Sequence, residues 1–174
     1  MTPAWPGPAA ASDAPAIRPA VSAPPTTPIP SLASVAWAVL VAADRVYYDM
    51  RTAAPDPNAD LSPPAIPFPA RVSERRIPLI GTQMRIGRRS TASEFKPEID
   101  LAGPHADPGI SRLHAVLVAA PDGTWSILDP GSANGTLLNG RQIAVGEPVT
   151  LHEGDRINLG AWTVITMHRG YGSR

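Results

Sequence analysis

The sequence contains no cysteine. This rules out disulfide bonds, a thiolate nucleophile and a cysteine-built zinc ribbon, and it fits a cytoplasmic location. Lysine is almost absent as well: of the 15 basic residues only Lys96 is a lysine, the rest being arginine. The 15 acidic residues bring the formal net charge to zero. Nucleic-acid-binding domains are usually strongly basic, and polybasic membrane tethers need clustered cations, so neither partner is expected. The longest apolar run, Leu32–Ala43 with Ser34 inside it, is short of the roughly 20 residues of a membrane-spanning helix. The N-terminus lacks the basic and apolar regions of a secretory signal. His105, His152 and His168 are scattered without metal-ligand spacing, so no metal or cofactor is expected. The bias toward alanine, proline and arginine is that of a GC-rich bacterial genome.

Most of the 22 prolines precede residue 70. Residues 1–31 are Pro, Ala, Ser and Thr with little charge. Such a segment buries too little to offset its ordering entropy and is expected to be a disordered tail. Residues 55–69 repeat the composition and read as a connector. Between them, Val35, Trp37, Val39 and Val41 alternate with smaller residues, which predicts a strand over Val35–Ala42. A short helical turn from Asp44 to Met50 follows. Trp37, Tyr47 and Tyr48 argue against a solvated linker, so residues 32–71 are expected to form an extension that packs on the domain after it.

From residue 72 to 169 short β-rich runs alternate with turn signals, the pattern of a sandwich or barrel. Strands are expected at Ile77–Ile80, Gln83–Ile86, Leu113–Ala120, Trp125–Leu128, Thr136–Leu138, Pro148–Leu151, Arg156–Leu159 and Trp162–His168. Pro121-Asp122-Gly123 and Asn139-Gly140 are turn dipeptides and tripeptides with known backbone preferences. The fold class is therefore all-β, a two-sheet antiparallel sandwich, followed by a short tail over 170–174. Leu113–Ala120 is apolar at nearly every position. An antiparallel strand with one wet face should alternate, so its outer face is expected to be covered, with Val35–Val41 as the candidate cover.

Three loops hold the residues that can carry chemistry. They contain Gly87-Arg88, then Ser111-Arg112-Leu113-His114, then Asn134-Gly135-Thr136-Leu137-Leu138-Asn139-Gly140. A phosphoryl group presents about −1.5 to −2 charges and three acceptor oxygens. Arginine offers a fork of donors, serine a hydroxyl, and loop glycines let main-chain N–H groups come close. Asparagine pairs a donor with an acceptor, as a neighbouring strand would. His114 lies on one strand face with Val116 and Val118 and is expected to be structural. Ser111 and His114 do not form a nucleophile–base pair on such a strand, and no Gly-x-Ser-x-Gly elbow is present, so the chain is not expected to be an enzyme.

In this order and on short strands, these motifs resemble the forkhead-associated (FHA) domain family, over roughly residues 72–169, and the chain is expected to be a bacterial, actinobacterial member. The resemblance implies an FHA/SMAD-like sandwich that binds phosphothreonine peptides. It implies that Arg88 contacts the phosphate, Ser111 hydrogen-bonds a phosphate oxygen, Arg112 adds charge, and Asn134 holds the peptide main chain, with Asn139 assisting in some members. His114 would brace the loops, which Gly87, Gly135 and Thr136 shape. Where the family often has threonine or another polar residue before Asn-Gly-Thr, this chain has Ala133, which removes a side-chain contact to ligand. The implied partner is a phosphothreonine-containing protein or peptide, and indirectly a Ser/Thr protein kinase; the domain itself is expected to be a monomer. Two other readings stay open: a phosphate-independent interaction scaffold, and a switch in which the domain binds a phosphorylated site on its own tail, such as Thr26-Thr27.

Overall fold

The computed structural model describes residues 36–53, 66–71, 73–90 and 94–170. The expected tail over 1–31, Thr26-Thr27 within it, most of the proline-rich connector and residues 171–174 lie outside the described residues.

Apolar alternation starts the fold at β1 (Trp37–Ala43), where Trp37, Val39 and Val41 are buried on one face. Asp44 then ends the strand and caps α1 (Arg45–Ala53), accepting the Tyr47 N–H at 3.1 Å. The helix runs one turn beyond the expected Met50. Ten further strands with turns between them follow, from β2 (Arg75–Pro78), β3 (Gln83–Gly87) and β4 (Ile99–Asp100) to β5 (Ala115–Ala119), β6 (Trp125–Leu128) and β7 (Thr136–Leu138). The order closes with β8 (Arg141–Gln142), β9 (Val149–Leu151), β10 (Arg156–Leu159) and β11 (Thr163–Arg169). Among the described residues no helix is long and apolar enough to cross a membrane.

The strands form a six-stranded sheet in the order β2-β1-β11-β10-β7-β8 and a five-stranded sheet in the order β4-β3-β5-β6-β9. All ladders are antiparallel except β3–β4, a two-residue parallel pair. The two sheets share one core. Trp37, Val39, Val41, Ile157, Leu159, Ile165 and Met167 from the first meet Met84, Ile86, Ala115, Leu117, Ile127 and Leu151 from the second. Burying such a side chain contributes about 1.5–3 kcal/mol against leaving it in water.

β1 is an interior strand. It pairs with β11 from Trp37↔Arg169 to Ala43↔Thr163 and with β2 on its other edge. Trp37 Nε1 also donates to the Gly123 carbonyl at 3.1 Å, tying β1 to the β5–β6 turn of the opposite sheet. This corrects the expectation that Val35–Val41 covers the outer face of Leu113–Ala120. The strand instead packs on the inner face of that sheet, and Val118 on the outer face is left 40% exposed. The apolar side chains of β1 find a larger dry surface in the core than a patch over β5 could offer.

α1 sits over the β10–β11 turn. The Tyr47 hydroxyl donates to the Gly160 carbonyl at 3.0 Å, and the Asp44 N–H donates to the Trp162 carbonyl at 2.7 Å. Asp44 Oδ2 accepts from Arg156 at 2.7 Å and from Asn158 at 3.2 Å. Burial by itself would raise the Asp44 carboxyl, but these donors and the Tyr47 N–H outweigh it and hold it below its ordinary value. Tyr48, Phe68 and Trp162 form an aromatic cluster beside the helix.

Candidate functional site

The three motif-bearing loops meet at one end of the sandwich, joined by their own polar groups. β3 ends at Gly87, whose position allows no side chain: a Cβ there would overlap the Arg112 carbonyl oxygen of the neighbouring loop. That close approach lets the Arg88 N–H donate to the Ser111 carbonyl at 3.2 Å and Arg88 Nε to the Ile110 carbonyl at 2.6 Å. The two terminal guanidinium nitrogens of Arg88 have no partner among the described residues, and the side chain is half-buried. The arginine is thus aimed by its Nε while its planar donor edge stays available.

Ser111 joins the second loop to the third. Its Oγ accepts the Ala133 N–H at 3.1 Å, which leaves the hydroxyl hydrogen uncommitted. The Ala133 N–H is therefore engaged inside the protein. Asn134 Nδ2 donates to the Gly109 carbonyl at 2.8 Å, and its Oδ1 is free among the described residues. Arg112 is exposed and makes no ion pair or hydrogen bond there.

His114 is fully buried at the centre of this junction. Its Nδ1 accepts the Ser111 N–H at 3.0 Å, and its Nε2 donates to the Gly135 carbonyl at 3.1 Å. The first bond requires an unprotonated Nδ1, so the ring is the neutral Nε2–H tautomer. Burial pushes its pKa down, only partly opposed by the Gly135 carbonyl and the charges of Asp129 and Asp107. The Ser111 hydroxyl is not the group on this imidazole, so the pair has none of the geometry of a nucleophile and its base.

The third loop is shaped from within by Asp129. Its Oδ1 accepts the Gly131 and Ser132 N–H groups at 2.8 and 2.7 Å, and its Oδ2 the Ser132 hydroxyl at 2.8 Å. Burial would raise this carboxyl, yet those donors keep it ionised below its ordinary value. Thr136 is buried at the start of β7. Asn139 and Gly140 both have positive φ, 51° and 79°, as a type I′ hairpin requires. The Asn139 amide is committed to that hairpin's surroundings: Nδ2 donates to Asp155 at 2.9 Å and Oδ1 accepts the Arg156 N–H at 2.9 Å. The structure thus brings Arg88, Ser111 and Asn134 together and shows Asn139 bonded to β10 and the turn before it. Arg89, next to Arg88, is paired with Asp100 at 3.2 Å.

One residue at this end was not singled out from the sequence. Asp107, 3% exposed, lies two positions before Gly109 and accepts N–H groups from both its own loop and the β10–β11 turn. The Asp-Pro-Gly run that carries it is a turn signal in the sequence, but its long-range partners are not. A cavity of about 660 Å³ on the far side of that loop, lined by Val41, Leu101, Asp107 and Trp162 among others, contains none of the motif residues. The motif site is a rim of loop tips, not a pocket in the core.

The FHA domain family model matches residues 84–160, the span from β3 to the end of β10 that holds all three loops. The chain carries an FHA domain. An FHA domain-containing protein of Arabidopsis thaliana is 35% identical over 88 residues, 51% of this chain and 20% of that protein. The E3 ubiquitin-protein ligase RNF8 of Homo sapiens is 43% identical over 51 residues, 29% of this chain and 10% of the ligase. The similarity therefore spans a fifth or less of these relatives' lengths. The solution structure of the FHA domain of an Arabidopsis thaliana hypothetical protein superimposes with a TM-score of 0.52 at 24% identity, covering 81% of this chain and 91% of that one. That likeness covers the sandwich, including strands N-terminal to the family match.

Proposed function

We propose that this FHA domain is a binding module for phosphothreonine peptides, with Arg88 and Ser111 on the phosphate, Asn134 on the peptide main chain, and Arg112 as a free cation at the rim. The observation that carries the reading is the state of Arg88 and Ser111. Both are held by main-chain bonds from the adjacent loops, and both keep donors pointed at nothing in the protein. Preorganised, uncommitted donors are what a phosphate needs, because charge-assisted hydrogen bonds are short, strong and directional.

Three or four such bonds at about 1.5–3 kcal/mol each, less several kcal/mol for association, place the affinity near micromolar. The partner is a protein phosphorylated by a Ser/Thr kinase, and the domain acts as a monomeric, non-catalytic reader in the cytoplasm. Residues 72–169 form the binding unit in this reading, and 32–71 an extension that supplies β1 and α1. His114, Gly87, Gly135 and Thr136 shape the loops, and Asn139 fastens the β7–β8 hairpin beside them.

The test is a titration of purified protein with a degenerate phosphothreonine peptide pool, its unphosphorylated counterpart, and a phosphoserine pool. Binding near micromolar that needs the phosphate and falls in Arg88→Ala supports the reading. Equal binding with and without phosphate would instead make the domain a phosphate-independent scaffold, with Ala133 the first place to look.

A further inference from the structure

Asp107 is a buried carboxylate with an unusual number of donors. Its Oδ1 accepts the Gly109 N–H at 2.9 Å and the Ala161 N–H at 3.0 Å. Its Oδ2 accepts the N–H groups of Ala161, Trp162 and Thr163 at 2.9, 2.9 and 3.1 Å and the Thr163 hydroxyl at 2.9 Å. A carboxylate taken out of water is tolerated only when such donors replace its hydration. The backbone is pressed to match. A Cβ at Gly109 would stand 2.8 Å from the Ala161 nitrogen, and one at Gly160 would stand 2.7 Å from both Asp107 oxygens. The Gly103–Ile110 loop and the β10–β11 turn are thus clasped at main-chain contact.

This clasp lies directly behind the candidate site. Asp107 also accepts the Ile110 N–H through its carbonyl at 3.2 Å. The next carbonyls along the chain then orient the ligand-facing side chains: Gly109 holds Asn134, Ile110 holds Arg88 Nε, and Ser111 holds the Arg88 N–H. On its other side the β10–β11 turn is fixed by α1, through Tyr47 on the Gly160 carbonyl and Asp44 N–H on the Trp162 carbonyl. A continuous path of hydrogen bonds therefore runs from α1 through the turn and Asp107 to Arg88 and Asn134.

We infer that Asp107 is a positioning residue for phosphopeptide binding: its clasp on Ala161–Thr163 fixes the Gly109–Ser111 carbonyls that aim Arg88 and Asn134. This rests on the phosphopeptide reading above. Because the path runs through the main chain of Gly109–Ser111, loosening the clasp should misdirect donors that never touch Asp107. In Asp107→Asn one oxygen becomes an NH₂ group facing N–H donors, so the clasp opens without loss of side-chain volume. Thr163→Val removes only the hydroxyl donor and is the milder variant.

The experiment measures Kd for the tightest phosphothreonine peptide from the pool, well below each variant's Tm, together with the Arg88 Nε resonance of the free protein. A residue that only stabilises the fold lowers Tm but leaves Kd unchanged while nearly all molecules are folded. Positioning predicts that Asp107→Asn weakens binding by about tenfold or more, as loss of a hydrogen bond at the phosphate would. Thr163→Val should weaken it about twofold to threefold, and the Arg88 Nε resonance should move in both. Folded variants that bind as wild type, with Arg88 Nε unmoved, overturn the inference. If Asp107→Asn does not fold, Thr163→Val decides. If the intact protein binds no phosphopeptide, the proposed function fails and takes this inference with it. If the intact protein binds, Arg88→Ala does not, and both clasp variants match wild type, the inference alone fails.

Discussion

His114→Leu offers a sharp physical test of the loop junction. The imidazole holds two main-chain groups from different loops, the Ser111 N–H and the Gly135 carbonyl, and is itself fully buried. Leucine fills a similar volume but can accept or donate nothing. Each stranded group costs about 1–3 kcal/mol, so the variant should lose about 2–6 kcal/mol of stability, a large share of the 5–15 kcal/mol typical of a domain. The pH dependence carries a second signature. His114 is held neutral by burial, so its folded pKa lies below the value near 6.5 that it has unfolded. Its contribution is then complete above about pH 6.5 and is lost as pH falls from there toward the lowered folded value, because the unfolded chain binds the proton first. Urea unfolding followed by tryptophan fluorescence at pH 7.5, 6.5 and 5.5 measures both effects. Wild type should lose stability across this range, and His114→Leu should lose less. Equal pH slopes, or a variant as stable as wild type at pH 7.5, would refute the reasoning.

Three more outcomes follow from the same geometry. Gly87→Ala places a methyl group against the Arg112 carbonyl, and should cost about 1–3 kcal/mol in the same urea assay, as overpacking does. Deleting residues 1–43 removes the interior strand β1 with buried Trp37, Val39 and Val41; the shortened chain should show no cooperative thermal transition by circular dichroism, and an unchanged Tm would contradict the sheet order. Glu98, hydrogen-bonded by the Arg85 guanidinium, should titrate at about 2 by carboxyl-carbon NMR, so its small stabilising effect is lost only as pH falls from about 4.3 toward that value. In Arg85→Ala the carboxyl should return to its ordinary range.

The repeated short strands with Gly, Pro and Asx turns were legible in the sequence because turn chemistry is local: Asn139-Gly140 predicts its own positive φ values. The strand at Trp37–Ala43 was legible from alternation, but its place between β2 and β11 was not, since β2 lies beyond the intervening helix and β11 at the far end of the domain. The two-residue strands β4 and β8 are too short to carry a period. At the site, Arg88, Ser111 and Asn134 were visible as motif residues, and the structure brings their loops into contact. What no local pattern could reveal is which side chains the protein itself consumes. Asn139 is spent on Asp155 and Arg156, Arg89 on Asp100, and the Ala133 N–H on Ser111. Asp107 escaped notice for the same reason, all the donors to its carboxylate but the Gly109 N–H coming from the distant Ala161–Thr163.

The central claim is that one cluster of loop donors binds a phosphate. The most direct test is a two-dimensional amide and arginine Nε NMR titration of the full chain with a phosphothreonine peptide. The largest shifts should fall on Arg88 Nε and on the amides of Arg88, Ser111, Arg112 and Asn134, and the unphosphorylated peptide should leave them in place. Shifts centred on α1 or on the outer face of β5, or equal shifts with and without the phosphate, would contradict it.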